Sequence, residues 1–126
     1  MKQVIVLRKD LNMRKGKMVA QGAHASMAAI LDTIHVENGE FERIVKPDIR
    51  IHLWLSGKFT KICVSVDSEE ELRDIYGAAE AEGMICSLIK DSGLTEFKGI
   101  PTYTAAAVGP DYDEKIDEIT GHLKLL

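Results

Sequence analysis

Arg14-Lys15-Gly16-Lys17 packs three cations around a glycine. The segment stands at the entrance to a stretch whose composition favours a long helix. The first N–H groups of a helix lack internal partners, and the helix dipole is positive there. Gly16 lets a ligand approach the backbone closely. Together these make an anion site. It is not the phosphate-cradling loop of nucleotide hydrolases, because the flanking glycine and the Ser or Thr after the lysine are missing. Lys17, Gln21, His24 and Ala28 recur at helical spacing and share a face. Gln21 and His24 admit two readings: they line a site with Lys17, or they are buried polar residues satisfied by a neighbouring strand.

A second group, Asp91-Ser92-Gly93-Leu94-Thr95, follows an apolar run that ends at Ile89. Ligands of open α/β sheets sit at the carboxyl ends of strands, where Asp91 falls. Gly93 permits a tight turn that would bring Asp91 and Thr95 together; the plainer reading is an Asx-turn capping its own backbone. Thr102 and Thr104 lie two apart and face one side of a strand. They line the site or merely follow β-propensity. His35, His52 and His122 have no partners at metal-ligand spacing. There is no serine framed by glycines, no defensible Ser-His-Asp order and no dinucleotide fingerprint.

The elements that must position these residues read as follows. Gln3–Leu7 is β-branched and continuously apolar, a buried strand. From Lys15 to about Val36 the chain is rich in Ala and Met without proline, which predicts one long helix. Its apolar residues cover much of the circumference, so it should be mostly buried. Asn38-Gly39 ends or interrupts it. Pro47 breaks any further helix, and Ile49–Leu55 is a short helix or an extended segment. Lys61–Val66 reads as a strand. Asp67 or Ser68 can cap a helix opened by Glu69-Glu70-Glu71 and stopped by Gly83. Met84–Ile89 and Thr102–Val108 are strands, the latter closed by Gly109-Pro110. Residues 113–121 are a last helix. Strands alternating with helices imply a layered α/β domain with a mixed sheet, the step from the third to the fourth strand being the antiparallel or edge exception.

The chain has 126 residues, enough for one domain and too few for two cores. At 45% hydrophobic and 29% charged residues it is an ordinary globular mixture rather than a disordered one. No segment approaches the roughly 20 apolar residues of a membrane span. The apolar start is too short for a signal peptide and ends at Arg8. Cys63 and Cys86 each sit in an apolar run and read as reduced core residues, which suits the cytosol. The net charge of −4 argues weakly against nucleic acid, but its distribution is uneven. Residues 1–17 carry Lys2, Arg8, Lys9, Arg14, Lys15 and Lys17 against Asp10 alone, while residues 111–126 are acidic. A basic amino-terminal segment is compatible with a phosphate backbone; it is also compatible with a solvated surface.

The segments then fit one pattern. Lys15-Gly16-Lys17-Met-Val-Ala-Gln21-Gly-Ala-His24-Ala25 resembles the signature of the archaeal- and eukaryotic-type peptidyl-tRNA hydrolases. Asp91-x-Gly93-x-Thr95 resembles their second motif, and Thr102-x-Thr104 followed by Val108-Gly109-Pro110 their third. The ending Thr120-Gly121-His122-Leu123-Lys124-Leu125-Leu126 looks like the family's closing segment. Residues 32–55 match least. Pro101 stands where the family usually has glycine, and Tyr103 replaces an aliphatic residue. The resemblance implies a single three-layer domain over residues 1–126, with a mixed four-stranded sheet and helices on both faces. It also implies a homodimer, no metal, no organic cofactor, and hydrolysis of the ester joining a peptide to the 3′ ribose of tRNA; the absence of a long apolar stretch adds the expectation of no membrane partner. Lys17, Asp91, Thr95 and Thr102 match the family's functional positions.

On that basis Asp91 orients or deprotonates water and Lys17 stabilises the oxyanion. Thr95 and Thr102 hold water or ribose. Arg8, Arg14 and Lys15 contact phosphates, and Gln21 and His24 contribute to substrate binding. A carboxylate beside Lys17 has a lowered pKa and is a poor base, which favours an orienting role. The competing class is a non-catalytic RNA- or protein-binding module of the same fold.

Overall fold

The computed structural model describes residues 1–34, 36–37, 40–41 and 48–126. His35, the Asn38-Gly39 stop and the Pro47 break lie outside the described residues. The order is β1 (Lys2–Arg8), α1 (Lys15–Leu31), β2 (Val36–Glu37), β3 (Glu40–Phe41), α2 (Ile49–Ser56), β4 (Lys61–Val66), α3 (Glu69–Ala81), β5 (Cys86–Asp91), β6 (Thr102–Asp111), α4 (Asp113–Thr120) and β7 (Lys124–Leu125).

The main sheet runs β5-β6-β1-β4-β7. β1 and β4 pair in parallel; β6 is antiparallel to both β1 and β5, and β7 is antiparallel to β4. The direct connection between Asp91 and Thr102 is antiparallel and β5 is an edge strand, but antiparallel pairing is no exception, since β1–β4 is the parallel pair of this sheet. Alternation along the strands divides the core between two faces. Val4, Val6, Val64, Val66, Ala106 and Val108 join Leu72 and Ile75 of α3 and Ile116 of α4. Ile5, Leu7, Ala105 and Ala107 meet Ala25 and Ala29 of α1 and Ile51 of α2. Helices therefore cover both faces of a mixed α/β domain.

The sheet has five strands instead of four. Val64 pairs with Leu125 and Ser65 with Lys124, and the Leu126 N–H bonds to the Cys63 carbonyl at 3.1 Å. Two residues are too few to show a period, so this strand exists only through its partner. The long helix ends at Leu31 instead of near Val36, and it is not mostly buried. Only Gln21, Gly22, Ala25 and Ala29 of α1 are buried, whereas Val19 is 72% and Met27 59% exposed. Small residues make that contact: Gly22 faces Ile5 and Leu7, and Ala25 and Ala29 share a cluster with Ala105 and Ala107, which draws the helix onto the sheet and turns its larger apolar residues outward.

Other boundaries moved as well. Ile49–Ser56 is helical, with Asp48 accepting from the Arg50 N–H at 2.9 Å as its cap. Ser68 caps α3 by accepting from the Glu71 N–H, and the Glu71 carboxylate reaches back to the Asp67 N–H, each at 3.0 Å. β5 starts at Cys86 and reaches Asp91. β6 passes through a cis Gly109-Pro110 bond to Asp111, so that dipeptide does not close the strand. Both cysteines are free; Cys63 is not a core residue, whereas Cys86 packs against the core. Cys63 is exposed because α1 packs over β5, β6 and β1 and leaves the β4 flank open. Cys86 is half-buried, and burial pushes its thiol pKa up.

Candidate active site

The first turn of α1 stands over the end of β5 and the start of the 92–101 connection, which brings the two sequence groups together. The Lys17 Nζ donates to Asp91 Oδ1 at 2.9 Å and to Thr95 Oγ1 at 2.7 Å. Both charged side chains are largely covered, Lys17 at 13% and Asp91 at 14% exposure. Asp91 Oδ1 also accepts from Gln21 Nε2 at 3.2 Å, and Oδ2 accepts from the Gly93 N–H at 2.8 Å. The Asp91 carboxyl is held below its ordinary value of 3.8, chiefly by the Lys17 hydrogen bond, with the Gly93 and Gln21 donors adding to it against the opposing effect of burial. It is an anion at neutral pH.

Gly93 is where the turn demands glycine. Its φ is +83°, and its carbonyl accepts from Gly99 at 2.9 Å and from Phe97 at 3.3 Å. The turn is thus more than an Asx-turn, because Asp91 holds its own backbone and the α1 lysine at once.

Thr102 faces Asp91 across the β5–β6 ladder, but its hydroxyl donates to the Ile100 carbonyl at 2.7 Å. It is not among the groups bonded to Lys17 or Asp91. Thr104, two residues on, is fully buried and donates to Gln21 Oε1. Gln21, 2% exposed, has both ends of its amide engaged, by Thr104 and Asp91. His24 is exposed on the same helix face. Gly16, Lys17, Gln21, His24, Asp91 and Thr95 line an open cleft of about 560 Å³.

The outer cations separate. Arg14 borders the cleft, 83% exposed, with its guanidinium 2.8 Å from Glu96. The same carboxylate accepts weakly from the Arg14 backbone N–H at 3.4 Å, so an acidic side chain sits beside the N-cap of α1. Arg14 holds the Glu96 carboxyl below its usual range. Lys15 borders a different, apolar groove beside Met18, Val19 and Leu126. Arg8 is tied down by Asp10 at 2.6 Å and by the Tyr103 carbonyl at 3.0 Å. Glu96 is the cleft residue that sequence reasoning did not single out, and Thr104 is one whose partner it did not name. Nothing local marks Glu96, since Arg14 lies 82 positions away; alternation gave Thr104 a face but no partner.

A polar cleft at the carboxyl edge of a mixed α/β sheet, built on a lysine–carboxylate–hydroxyl cluster, is the form of a ligand-binding α/β domain. The family model for Peptidyl-tRNA hydrolase PTH2 matches residues 1–126. Proteins named peptidyl-tRNA hydrolase are similar along their whole length. That of Methanocaldococcus jannaschii is 49% identical over 126 residues, with both chains fully covered. That of Methanothermobacter thermautotrophicus is 44% identical over 126 residues, again with full coverage. One from Methanococcus maripaludis is 38% identical over 124 residues, covering 98% of this chain and 97% of that one. The chain belongs to the peptidyl-tRNA hydrolase PTH2 family, a family of hydrolases acting on ester bonds.

Proposed function

We propose that the Lys17–Asp91–Thr95 cleft hydrolyses the ester between a peptide and the 3′ ribose of tRNA, without metal or organic cofactor. The observation that carries this reading is the bonding of one ammonium group to a carboxylate and a hydroxyl at the rim of a cleft. An ammonium has three N–H donors, and Asp91 and Thr95 take two of them. The third is free for the ester carbonyl oxygen. Because Thr95 Oγ1 accepts from Lys17, its own hydrogen points elsewhere and supplies a second donor. Together they match the charge that develops on the oxygen as water adds to the carbonyl carbon.

Asp91 Oδ2, bonded to Gly93, keeps a lone pair that can hold the attacking water. A carboxylate with a lowered pKa orients that water and Lys17 rather than acting as a strong base. The ester C–O bond then breaks, and the 3′ oxygen takes up the proton that the water loses. Thr102, with lone pairs unused by its bond to Ile100, serves the ribose. His24 lies further along the groove for the substrate, whereas Gln21 acts from within the protein. Arg14 and Lys15 are the cations available to phosphates; a phosphate at Arg14 displaces Glu96, and Arg8 mainly supports the backbone of β6.

The test is single-turnover cleavage of peptidyl-tRNA, with a free aminoacyl ester as comparison substrate. Asp91→Asn keeps the shape but loses the charge, and it is expected to slow cleavage at least about 10²-fold. A near-normal rate in Asp91→Asn would remove this assignment; equal rates on the free ester would remove tRNA from it.

The same reading places the protein in the cytoplasm as a homodimer. Two contiguous apolar grooves of about 440 and 390 Å³ flank α1 and share Ile5 and Ala23. Val19, Met27, Leu55 and Leu126 are exposed along them. Exposed apolar area of this extent suits a partner surface, and a second copy is the occupant proposed. Sedimentation of the wild type should give twice the chain mass and that of Val19→Glu/Met27→Glu the single mass. A monomeric wild type contradicts this assembly. Among the described residues no helix is long and apolar enough to cross a membrane.

A further inference from the structure

Three buried polar contacts fasten α1 to the sheet, and they differ in where they end. Gln3 Nε2 donates to the Ser26 and Gly109 carbonyls, and Ser26 Oγ donates to Gln3 Oε1 at 2.6 Å. Ser87 Oγ donates to the Ala25 carbonyl at 2.6 Å. Both sets close on backbone and do no more than dock the helix. The third set runs from Thr104 through Gln21 to Asp91 Oδ1, so it ends on a charged group of the cleft.

We infer that Thr104 and Gln21 are positioning residues, a buried relay that fixes the Asp91 carboxylate for the reaction proposed above, on which this inference rests. Thr104 is 0% exposed and lies behind the cleft, and Gln21, 2% exposed at its wall, has both ends of its amide engaged by protein groups. A glutamine amide can present either its oxygen or its NH₂ to Asp91, and the wrong choice sets two oxygens against each other. The Thr104 hydroxyl decides between them. By donating to Oε1 it turns Nε2 toward Asp91 Oδ1. The carboxylate then has three donors from two segments: Lys17 and Gln21 of α1 on Oδ1, and the Gly93 N–H of the following turn on Oδ2. Those bonds fix the plane of the carboxylate and the direction of the oxygen lone pair left for water. Lys17 has a second partner in Thr95, so losing the relay leaves the ammonium in place and loosens only the carboxylate plane. Groups that orient a reacting side chain from behind typically affect turnover about 10- to 100-fold.

The experiment uses the full chain and single-turnover rates over a range of enzyme concentrations. Thr104→Val keeps the shape and removes the hydroxyl. It is expected to lower the saturating rate about tenfold and leave the half-saturating concentration unchanged. Thr104→Ser, which keeps the donor, should restore the rate. Gln21→Met cuts the same relay from the helix side and keeps the test open if Thr104→Val does not fold. The double variant should be no slower than the slower single one, because the two act in series. A folded Thr104→Val or Gln21→Met with normal turnover overturns the relay. So does a defect confined to the half-saturating concentration, or failure of Thr104→Ser to restore the rate. Asp91→Asn run in parallel separates the two levels. If it is fully active, the reading of Asp91 itself fails; if it is inactive while Thr104→Val is normal, only the relay fails.

Discussion

Lys17→Ala is expected to cut the single-turnover rate on peptidyl-tRNA by about 10²- to 10³-fold, the loss typical of removing one preorganised donor to an oxyanion. The half-saturating concentration should change little, because Arg14 and Lys15 remain for the phosphates. The physical case rests on where the ammonium is held. It is largely covered, and Asp91 and Thr95 fix it from two sides, so it pays no reorganisation as the charge develops. In alanine's place a water would have to order itself anew.

The fold should survive Lys17→Ala. Asp91 keeps the Gly93 and Gln21 donors, and its carboxyl pKa rises because the largest cause of its depression is gone. Lys17→Arg is not expected to restore the rate, since a larger, planar guanidinium cannot take the place of a compact ammonium that bonds Asp91 and Thr95 and keeps a third N–H for the ester. A folded Lys17→Ala with a rate within threefold of wild type, roughly 0.6 kcal/mol of barrier, would show that the oxyanion is stabilised elsewhere.

Gly93→Ala has the largest expected effect on stability. A Cβ on Gly93 would sit 2.1 Å from the Ile100 carbonyl oxygen and 2.6 Å from its carbon. Those are backbone atoms and cannot swing aside as a side chain would. The φ of +83° adds the strain of a left-handed conformation in a residue with a side chain. Strain and overpacking together come to about 3 kcal/mol or more. At about 4 °C per kcal/mol the melting temperature should fall by about 12 °C. The alternative to global loss is that residues 92–101 open and take the strain locally. The melting temperature then falls less, but the Gly93 N–H leaves Asp91 and Thr95 leaves Lys17, so turnover collapses. Differential scanning calorimetry with the cleavage assay distinguishes these outcomes. Unchanged values in both would contradict the geometry of this turn.

The chemistry-bearing residues could be read from the chain because their local settings are local in origin. Lys17, Gln21 and His24 share a face through helical spacing. Asp91, Gly93 and Thr95 share a turn through the glycine between them. The strand and helix types followed from period and capping, as at Ser68 and Glu71, for the same reason: such signals act within a few residues. Motif order added the family, which no single motif could carry.

What lay beyond the sequence is contact between segments distant along the chain. Whether Gln21 would meet substrate or Asp91 depended on Thr104, 83 positions away, and only the packing of α1 against β6 turned it inward. The Arg14 cation expected to be available to an anion at the start of α1 is paired with Glu96, because the 92–101 connection folds over it. The fifth strand needed β4 as its partner, and the outward face of α1 was decided by the alanines of β6. Sequence by itself determined which side chains the protein has for its chemistry and the elements that carry them. Tertiary structure decided which of them meet, because hydrogen-bond partners and burial depend on distances that no local pattern encodes.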